Sequence, residues 1–507
     1  MQKKLLAACL LASALCHTAT AQQYTPTWES LSAHEAAPEW FQDAKFGIYL
    51  HWGVYSVPEF QTEWYPRYLY FPWSDVAKYH EATYGPVSEF GYHDLIPLFT
   101  AEDFDASQWA TLFKEAGARF AGMVAEHHDG FAMWDSECTP WNAADMGPRR
   151  DIVGLLGNAI KQNGMKFITT FHHARNLQRY SDPDVLKNEM AKDYGELERR
   201  RFWLSHFPYR EGTHPASTDP KLRYLYGNVP AAQWYDEIWL PELVEVIDNY
   251  DPDIIYFDSW LDLIPEDYRR RFCAYYLNKA AQREKDVVIL SKQEDLPLTV
   301  SVENFENSRK QDLDPNVWQT EQTVSYDSWS YTKDFKIKPA SHLVHEMIDV
   351  VSKNGVFLLN ISPRASGLIP DDQQQLLREI GAWLGKYGEA IYSTRPWYTF
   401  GEGPTRQPEG DLKNRQLFDK LKYTADDYRF TTKGDAIYVL TLSEPEAGKT
   451  INIASFAPDR NADKRAIKRV SMLGSQAEIA WNLTDSGLSI TVPDEPYSIS
   501  TVFKVEY

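Results

Sequence analysis

Cysteine is scarce in this chain. Its 507 residues hold four, and two of them, Cys9 and Cys16, fall at the very start. Cys138 and Cys273 alone make neither a disulfide framework nor a zinc cluster. They read as small buried hydrophobes with one optional bridge. Basic charge is also short: 52 Lys and Arg stand against 72 Asp and Glu, a net charge of −20. Such a surface argues against nucleic acid and against an anionic membrane surface as partners. A neutral or weakly charged substrate is the easiest to reconcile with it.

Long apolar runs are missing too. The run at 5–15 is too short to span a bilayer, and no other approaches a span. Lys3 and Lys4 precede that run and Ala19-Thr20-Ala21 follows it, so residues 1–21 read as a removable export signal. A lipoprotein-type reading at Leu6-Ala7-Ala8-Cys9 would leave almost no apolar core before the cysteine. The mature chain is then periplasmic or secreted. No Gly-x-Gly-x-x-Gly follows the first strand, which weakens a dinucleotide fold. No His-x-His follows it either, and no third ligand clusters with His127 and His128, so neither a metal nor a cofactor is expected.

Aromatic residues, in contrast, are plentiful: 17 Trp and 30 Tyr. Most belong in a core. Several stand beside His, Glu and Asp, where flat rings with polar neighbours suit the faces and hydroxyls of a sugar. The densest such stretch is Glu126-His127-His128-Asp129-Gly130-Phe131, directly after an apolar run at 120–125. His51-Trp52-Gly53 follows a run at 46–50, and Asp258-Ser259-Trp260 follows one at 253–257. Buried strands cannot hold so many polar groups without partners. The C-terminal ends of parallel strands are where α/β folds place their chemistry. The three clusters therefore point to one shared pocket. Taken alone, Asp258 would read as a strand-end aspartate capping the next helix or held in an ion pair; the other clusters favour a catalytic role.

From about residue 40 to 390 short apolar runs alternate with helical patterns. Strands are predicted at 46–50, 120–125, 166–171, 253–257, 287–290, 298–302 and 355–361. Asp105 and Asp151 read as N-caps, Gly117 and Gly164 as the stops of the same two helices, and Pro265 opens another. Repeated strand–helix units of this length predict a (β/α)8-like barrel over 22–392. Residues 182–232 break the rhythm and read as a long loop with a helix at 184–202. After residue 392 short alternating runs separated by turn signals predict an antiparallel β-sandwich domain over 393–507, structural or sugar-binding.

Several motifs carry a resemblance. They are Trp40-Phe41-Gln42-Asp43-Ala44-Lys45-Phe46-Gly47-Ile48, His51-Trp52-Gly53-Val54-Tyr55-Ser56-Val57-Pro58 and Glu63-Trp64-Tyr65. Lys114-Glu115-Ala116-Gly117-Ala118, the His127 block, and Gly147-Pro148-Arg149-Arg150-Asp151 follow. Tyr256-Phe257-Asp258, Asp327-Ser328-Trp329-Ser330-Tyr331, Val351-Ser352-Lys353-Asn354-Gly355 and Asn360-Ile361-Ser362-Pro363 complete the series. Each is weak alone. Together and in this order the chain resembles the α-L-fucosidases of glycoside hydrolase family 29. The resemblance implies a retaining exo-α-L-fucosidase acting on fucosylated oligosaccharides or polysaccharides through a covalent glycosyl-enzyme. By motif position it implies Asp258 as nucleophile, and His51, Glu63, Trp64, His127 and His128 as the residues holding the fucose.

Two departures qualify it. Where many members have Trp-Glu, this chain has Trp318-Gln319, and glutamine is no useful proton donor. The acid/base is therefore expected at Glu303, closing the strand at 298–302, with the better-solvated Glu321 as the alternative and Glu306 or Glu294 behind. After the third strand Thr170-Phe171-His172-His173 replaces the family's Tyr-Tyr-Ser, so His172 is a candidate hydrogen-bond donor beside the nucleophile. These departures keep a catalytically silent fucose-binding protein in view. A metal-dependent barrel hydrolase using His127, His128 and Asp258 is a third reading.

Overall fold

The computed structural model describes residues 24–176, 222, 224, 225, 227, 231–258, 261–407, 421–461, 463–494 and 499–507. The export signal expected at 1–21, the helix at 184–202 and the pair Ser259-Trp260 lie outside the described residues.

Eight parallel strands close into a barrel in the order β1 to β8. They are β1 (Phe46–Leu50), β2 (Phe120–Glu126), β3 (Lys166–Phe171), β4 (Ile254–Phe257), β5 (Val288–Ser291), β6 (Val302–Glu306), β7 (Trp318–Thr323) and β8 (Gly355–Ile361). Closure is made by β1 on β8, with Phe46 opposite Phe357 and Leu50 opposite Ile361. The strands alternate faces. Tyr49, Val124, Ile168, Tyr256, Leu290, Val302 and Leu358 fill the lumen as one apolar cluster. The opposite face of the wall packs against the helices. Gly122 sits at the tightest point: a Cβ there would lie 1.6 Å from the Ile168 carbonyl oxygen on β3.

The helices follow their sequence signals. Asp105 caps α1 (Ala106–Glu115) by accepting from the Ser107 and Gln108 amides, and Asp151 caps α2 (Ile152–Gln162) from Gly154. Gly117 and Gly164 leave these helices with positive φ, as glycine allows. α3 (Leu240–Tyr250) continues from a π-turn over Tyr235–Trp239, Pro265 opens α4 (Glu266–Gln282), and α5 (Ala340–Ser352) and α6 (Asp371–Tyr387) flank β8.

Beyond the barrel lie two antiparallel sheets. One holds β9 (Arg395–Glu402), β10 (Tyr428–Lys433), β11 (Ala436–Thr441), β13 (Arg469–Met472) and β16 (Val502–Glu506). The other holds β12 (Thr450–Ile453), β14 (Trp481–Thr484) and β15 (Gly487–Thr491). Phe430, Val439 and Val505 of the first share a core with Ile451, Leu488 and Ile490 of the second, which makes a sandwich. A buried ion network ties it to the barrel: Asp349 on α5 holds Arg429 of β10 at 2.6 Å, Lys353 at 3.0 Å and Arg309 at 3.2 Å. Cys138 and Cys273 are free thiols.

One expected strand is corrected and one unexpected strand is found. The run at 298–302 is a turn, with the Pro297 carbonyl accepting from the Val300 and Ser301 amides, and the strand begins only at Val302. Residues 318–323, not predicted as a strand, form β7, buried along its whole length although its side chains are mostly polar.

Candidate active site

The polar ends of β1 to β4 meet at one mouth of the barrel. His51 follows β1, His127 and His128 follow β2, His172 follows β3 and Asp258 follows β4. Their imidazoles form one group: His51 lies 5.5 Å from His127 and 5.2 Å from His172, and His127 lies 4.4 Å from His128, centroid to centroid. Gly130 lets the chain turn away after Asp129 with φ +74, where a Cβ would strike the Asn176 side chain at 2.4 Å.

Asp258 is the hub. Its Oδ2 lies 3.4 Å from both His128 Nε2 and His172 Nδ1, and its Oδ1 accepts from Lys292 Nζ at 2.7 Å. Burial by itself would raise the pKa of this carboxyl, but Lys292, then His172 and His128, hold it well below the usual carboxylate range. Asp258 is thus a carboxylate with one face still open, its side chain 11% exposed.

His51 is fixed by Asn360 of β8, whose Oδ1 accepts from both its backbone amide at 2.9 Å and its Nδ1 at 2.8 Å. Burial, and then His172, push its pKa well down, so His51 is neutral with Nε2 left as an acceptor. His128 Nδ1 lies 2.7 Å from the His172 carbonyl oxygen, and His172 Nε2 is buried without a hydrogen-bond partner among the described residues. Glu63 is buried, which raises its pKa, and accepts from the Trp329 amide at 3.4 Å. Trp64 stands with its ring 5.1 Å from His128, and Trp329 with its ring 5.3 Å from His51. The structure therefore gathers His51, Trp64, His127, His128, His172 and Asp258 around one space, with Glu63 joined through Trp329.

Glu303 is not among them. Because β6 starts at Val302, Glu303 is its second residue, and the alternation sends Val302 and Asn304 into the lumen and Glu303 and Phe305 outward. There Glu303 pairs with Lys310 at 3.1 Å, whose ammonium also lies over the Phe305 ring. The expectation that placed Glu303 beside Asp258 is corrected by this four-residue shift of the strand. Its place is taken by Glu306, the last residue of β6 on the lumen-facing set. Glu306 Oε2 lies 2.8 Å from Lys292 Nζ. Oxygens of Asp258, Glu306 and Glu321 all lie within 4.8 Å of one another.

Glu321 is also corrected: it is buried, not solvated. It points into the barrel, accepts from the Tyr49 hydroxyl and from Tyr256 Oη at 2.7 Å, and meets Lys292 Nζ at 2.6 Å. Burial is the largest influence on its pKa and raises it against the pull of Lys292. Gln319, the departure from the Trp-Glu pattern, is a floor residue of the barrel whose Nε2 donates to Asn304 Oδ1 at 2.9 Å. Asn304 in turn donates to Tyr256 Oη at 3.0 Å.

The sequence reading missed Lys292. It follows β5 in Ser291-Lys292-Gln293 and carries three carboxylates on one ammonium, which raise its pKa well above normal although burial works the other way. A lysine at a strand end was the available signal, but its partners come from three other strands. Nitrogens of His51, His127 and His172 lie within 4.8 Å of one another, so these three could also hold a cation.

Comparison with known proteins finds relatives over nearly the whole chain. The family model described as alpha-L-fucosidase matches residues 11–389. The human plasma alpha-L-fucosidase is 32% identical over 493 residues, covering 94% of this chain and 90% of the relative. The human tissue alpha-L-fucosidase is 29% identical, covering 94% and 89%. Among solved structures, the Thermotoga maritima alpha-fucosidase in complex with a mechanism-based inhibitor is 29% identical with a TM-score of 0.73, covering 96% of this chain and all of that one. The same enzyme in complex with fucose gives 28% identity and a TM-score of 0.72, covering 95% of this chain and all of that one.

Proposed function

The chain belongs to the α-L-fucosidase family, and from that premise we propose that it is an exported, retaining exo-α-L-fucosidase that removes terminal α-L-fucosyl residues from glycans. One observation carries the mechanism: a carboxylate held ionised, Asp258, stands within 4.8 Å of a second, partly exposed carboxyl, Glu306, at the barrel mouth. Lys292 Nζ, 2.7 Å from Asp258 Oδ1 and 2.8 Å from Glu306 Oε2, keeps the pair close, and retaining glycosidases use a short separation of roughly 5–5.5 Å because one group must attack from below while the other reaches the departing oxygen.

Asp258 attacks the anomeric carbon, and the bond to the glycosidic oxygen breaks. Glu306 gives that oxygen its proton, so the leaving sugar departs as an alcohol. The fucose remains as an ester on Asp258. Water then enters, Glu306 takes its proton, and attack at the same carbon restores the carboxylate and the original configuration. Neutral His51 offers Nε2 as an acceptor and His172 Nε2 has no hydrogen-bond partner among the described residues, which suits hydroxyl groups that donate and accept. Trp64 and Trp329 supply flat apolar walls for the ring and its methyl group. Glu63, His127 and His128 complete the polar lining.

A silent fucose-binding protein loses its main motive here. Gln319 lies in the floor, bonded to Asn304, and the partly exposed Glu306 carboxyl at the mouth supports the proton-donor role. Export rests on the composition of residues 1–21.

The test is turnover of an aryl α-L-fucoside followed by proton NMR. The α-anomer of fucose should form first, and Asp258→Gly should lose on the order of 10³-fold or more in kcat. First release of the β-anomer, or an Asp258→Gly variant keeping more than about a tenth of the activity, overturns the assignment.

A further inference from the structure

Behind the pocket, between the barrel wall and α3, lies a second polar cluster that the reaction does not use. Glu126 is the last residue of β2, His173 opens the 3-10 turn after β3, and Glu242 stands in the first turn of α3. All three are buried, with exposures of 1%, 0% and 1%. One donor atom from each lies within 4.8 Å of the others, and His173 Nε2 is 3.9 Å from Glu242 Oε2. The walls are aromatic: His173 stacks on Trp239 at 6.0 Å, with Trp234 also at 6.0 Å.

Charge is the anomaly. Among the described residues neither Glu126 nor Glu242 has a lysine or arginine partner. Among the described residues Glu126 Oε2, Glu242 Oε2 and His173 Nδ1 are buried without hydrogen-bond partners, while His173 Nε2 lies 3.4 Å from the Trp239 carbonyl oxygen. The Glu126 and Glu242 side chains lie close enough to share a proton, and two facing charges in a dry layer are costly unless a proton or a cation neutralises them. The surroundings register the same field: burial, then Glu242 and Glu245, push the Cys138 thiol up.

We infer that Glu126, His173 and Glu242 bind a divalent transition-metal cation, zinc foremost, in a structural site distinct from the catalytic pocket. Two carboxylates and one neutral imidazole supply the two negative charges and the mixed oxygen–nitrogen donor set that zinc takes, leaving a further position for water. The three ligands come from three elements, so the ion ties β2 and β3 to α3. It also steadies the catalytic side. Glu126 directly precedes His127-His128, its carbonyl accepts from the His172 amide at 2.9 Å, and His173 directly follows His172. The ion is a brace for the histidines around Asp258 and takes no part in bond making.

The test uses the full chain purified without chelator, equilibrated with zinc chloride and passed through gel filtration. Elemental analysis should find about one zinc per chain, and thermal unfolding should rise by about 5 °C or more relative to protein stripped by dipicolinate. X-ray absorption at the zinc edge should show one imidazole among oxygen ligands. Glu242→Gln should lose the zinc. Absence of retained zinc, manganese(II) or nickel(II) in the wild type overturns the site, as does an unfolding temperature indifferent to metal. A spectrum with three imidazoles places the ion on His51, His127 and His172 instead and equally overturns it. None of these outcomes touches the fucosidase assignment, which is read separately from turnover.

Discussion

Replacing Glu306 by alanine should separate the two carboxyl groups that lie near each other in sequence but on opposite faces of β6. Glu306 Oε2 is 2.8 Å from Lys292, which is 2.7 Å from Asp258, and its side chain is 43% exposed toward the mouth. A positioned general acid contributes about 10²–10⁴ in rate, or roughly 3–5 kcal/mol of barrier. The whole of that should be lost with sugar leaving groups, whose alkoxides need the proton. A nitrophenyl leaving group needs none, so the first step should survive and the fucosyl-enzyme should accumulate. Azide should then restore turnover by attacking that ester without base assistance, giving fucosyl azide of retained configuration. Glu303→Ala removes only the pair with Lys310, whose side chains are 18% and 19% exposed. Such a pair is worth about 0–1 kcal/mol, so kcat/KM should stay within roughly threefold of wild type. The assay is kcat/KM on a nitrophenyl fucoside and on a fucosylated oligosaccharide, with and without azide. Azide rescue of Glu303→Ala but not of Glu306→Ala would refute the reasoning.

Lys292→Met removes the main attraction holding Asp258 down while leaving its burial and the neighbouring Glu306 and Glu321. The acidic limb of kcat/KM should move up by a pH unit or more, about 1.4 kcal/mol per unit, and an unmoved limb would contradict the role given to Lys292. Asp349→Ala should cost about 3–5 kcal/mol in urea unfolding, because Lys353, Arg429 and Arg309 stay buried without their common anion; a loss under about 1 kcal/mol would sink this. The same network sets a pH dependence. Burial works against the Asp349 charge, but Lys353, Arg429 and Arg309 hold its pKa below the usual range. Its stabilisation is therefore complete above the unfolded value of about 4 and is lost as pH falls through the lower folded value, a loss the alanine variant should lack. Gly122→Ala should prevent β2 and β3 from pairing, since its Cβ would sit 1.6 Å from the Ile168 oxygen; soluble protein with wild-type unfolding temperature would disprove that close approach.

Apolar runs, caps and strand-end clusters determined much from the sequence alone. The runs at 46–50, 166–171 and 355–361 are β1, β3 and β8, and Asp105, Asp151 and Pro265 open the helices expected of them. These signals are local, so periodicity and side-chain chemistry suffice to read them. His51, His127, His128 and Asp258 were legible for a related reason: polar groups directly after buried strands have only the barrel mouth to occupy; His172 was singled out only by its departure from the family's Tyr-Tyr-Ser. Tertiary structure decided the rest. The start of β6 turns on a hydrogen-bonded turn at Pro297: beginning four residues later puts Glu303 near the floor and Glu306 at the mouth, and alternation along the strand then faces Glu303 out and Glu306 in. Trp318-Gln319-Thr320-Glu321-Gln322-Thr323 carries no apolar periodicity, yet it is a fully buried strand. Tyr49, Tyr256 and Lys292 reach its Glu321 from other strands, and Asn304 of the adjacent β6 accepts from its Gln319. Lys292 with its three carboxylates, and Glu126 with His173 and Glu242, are likewise gatherings from distant strands and helices. Only closure of the barrel, and the packing of α3 on its wall, brings those charges within reach of one another.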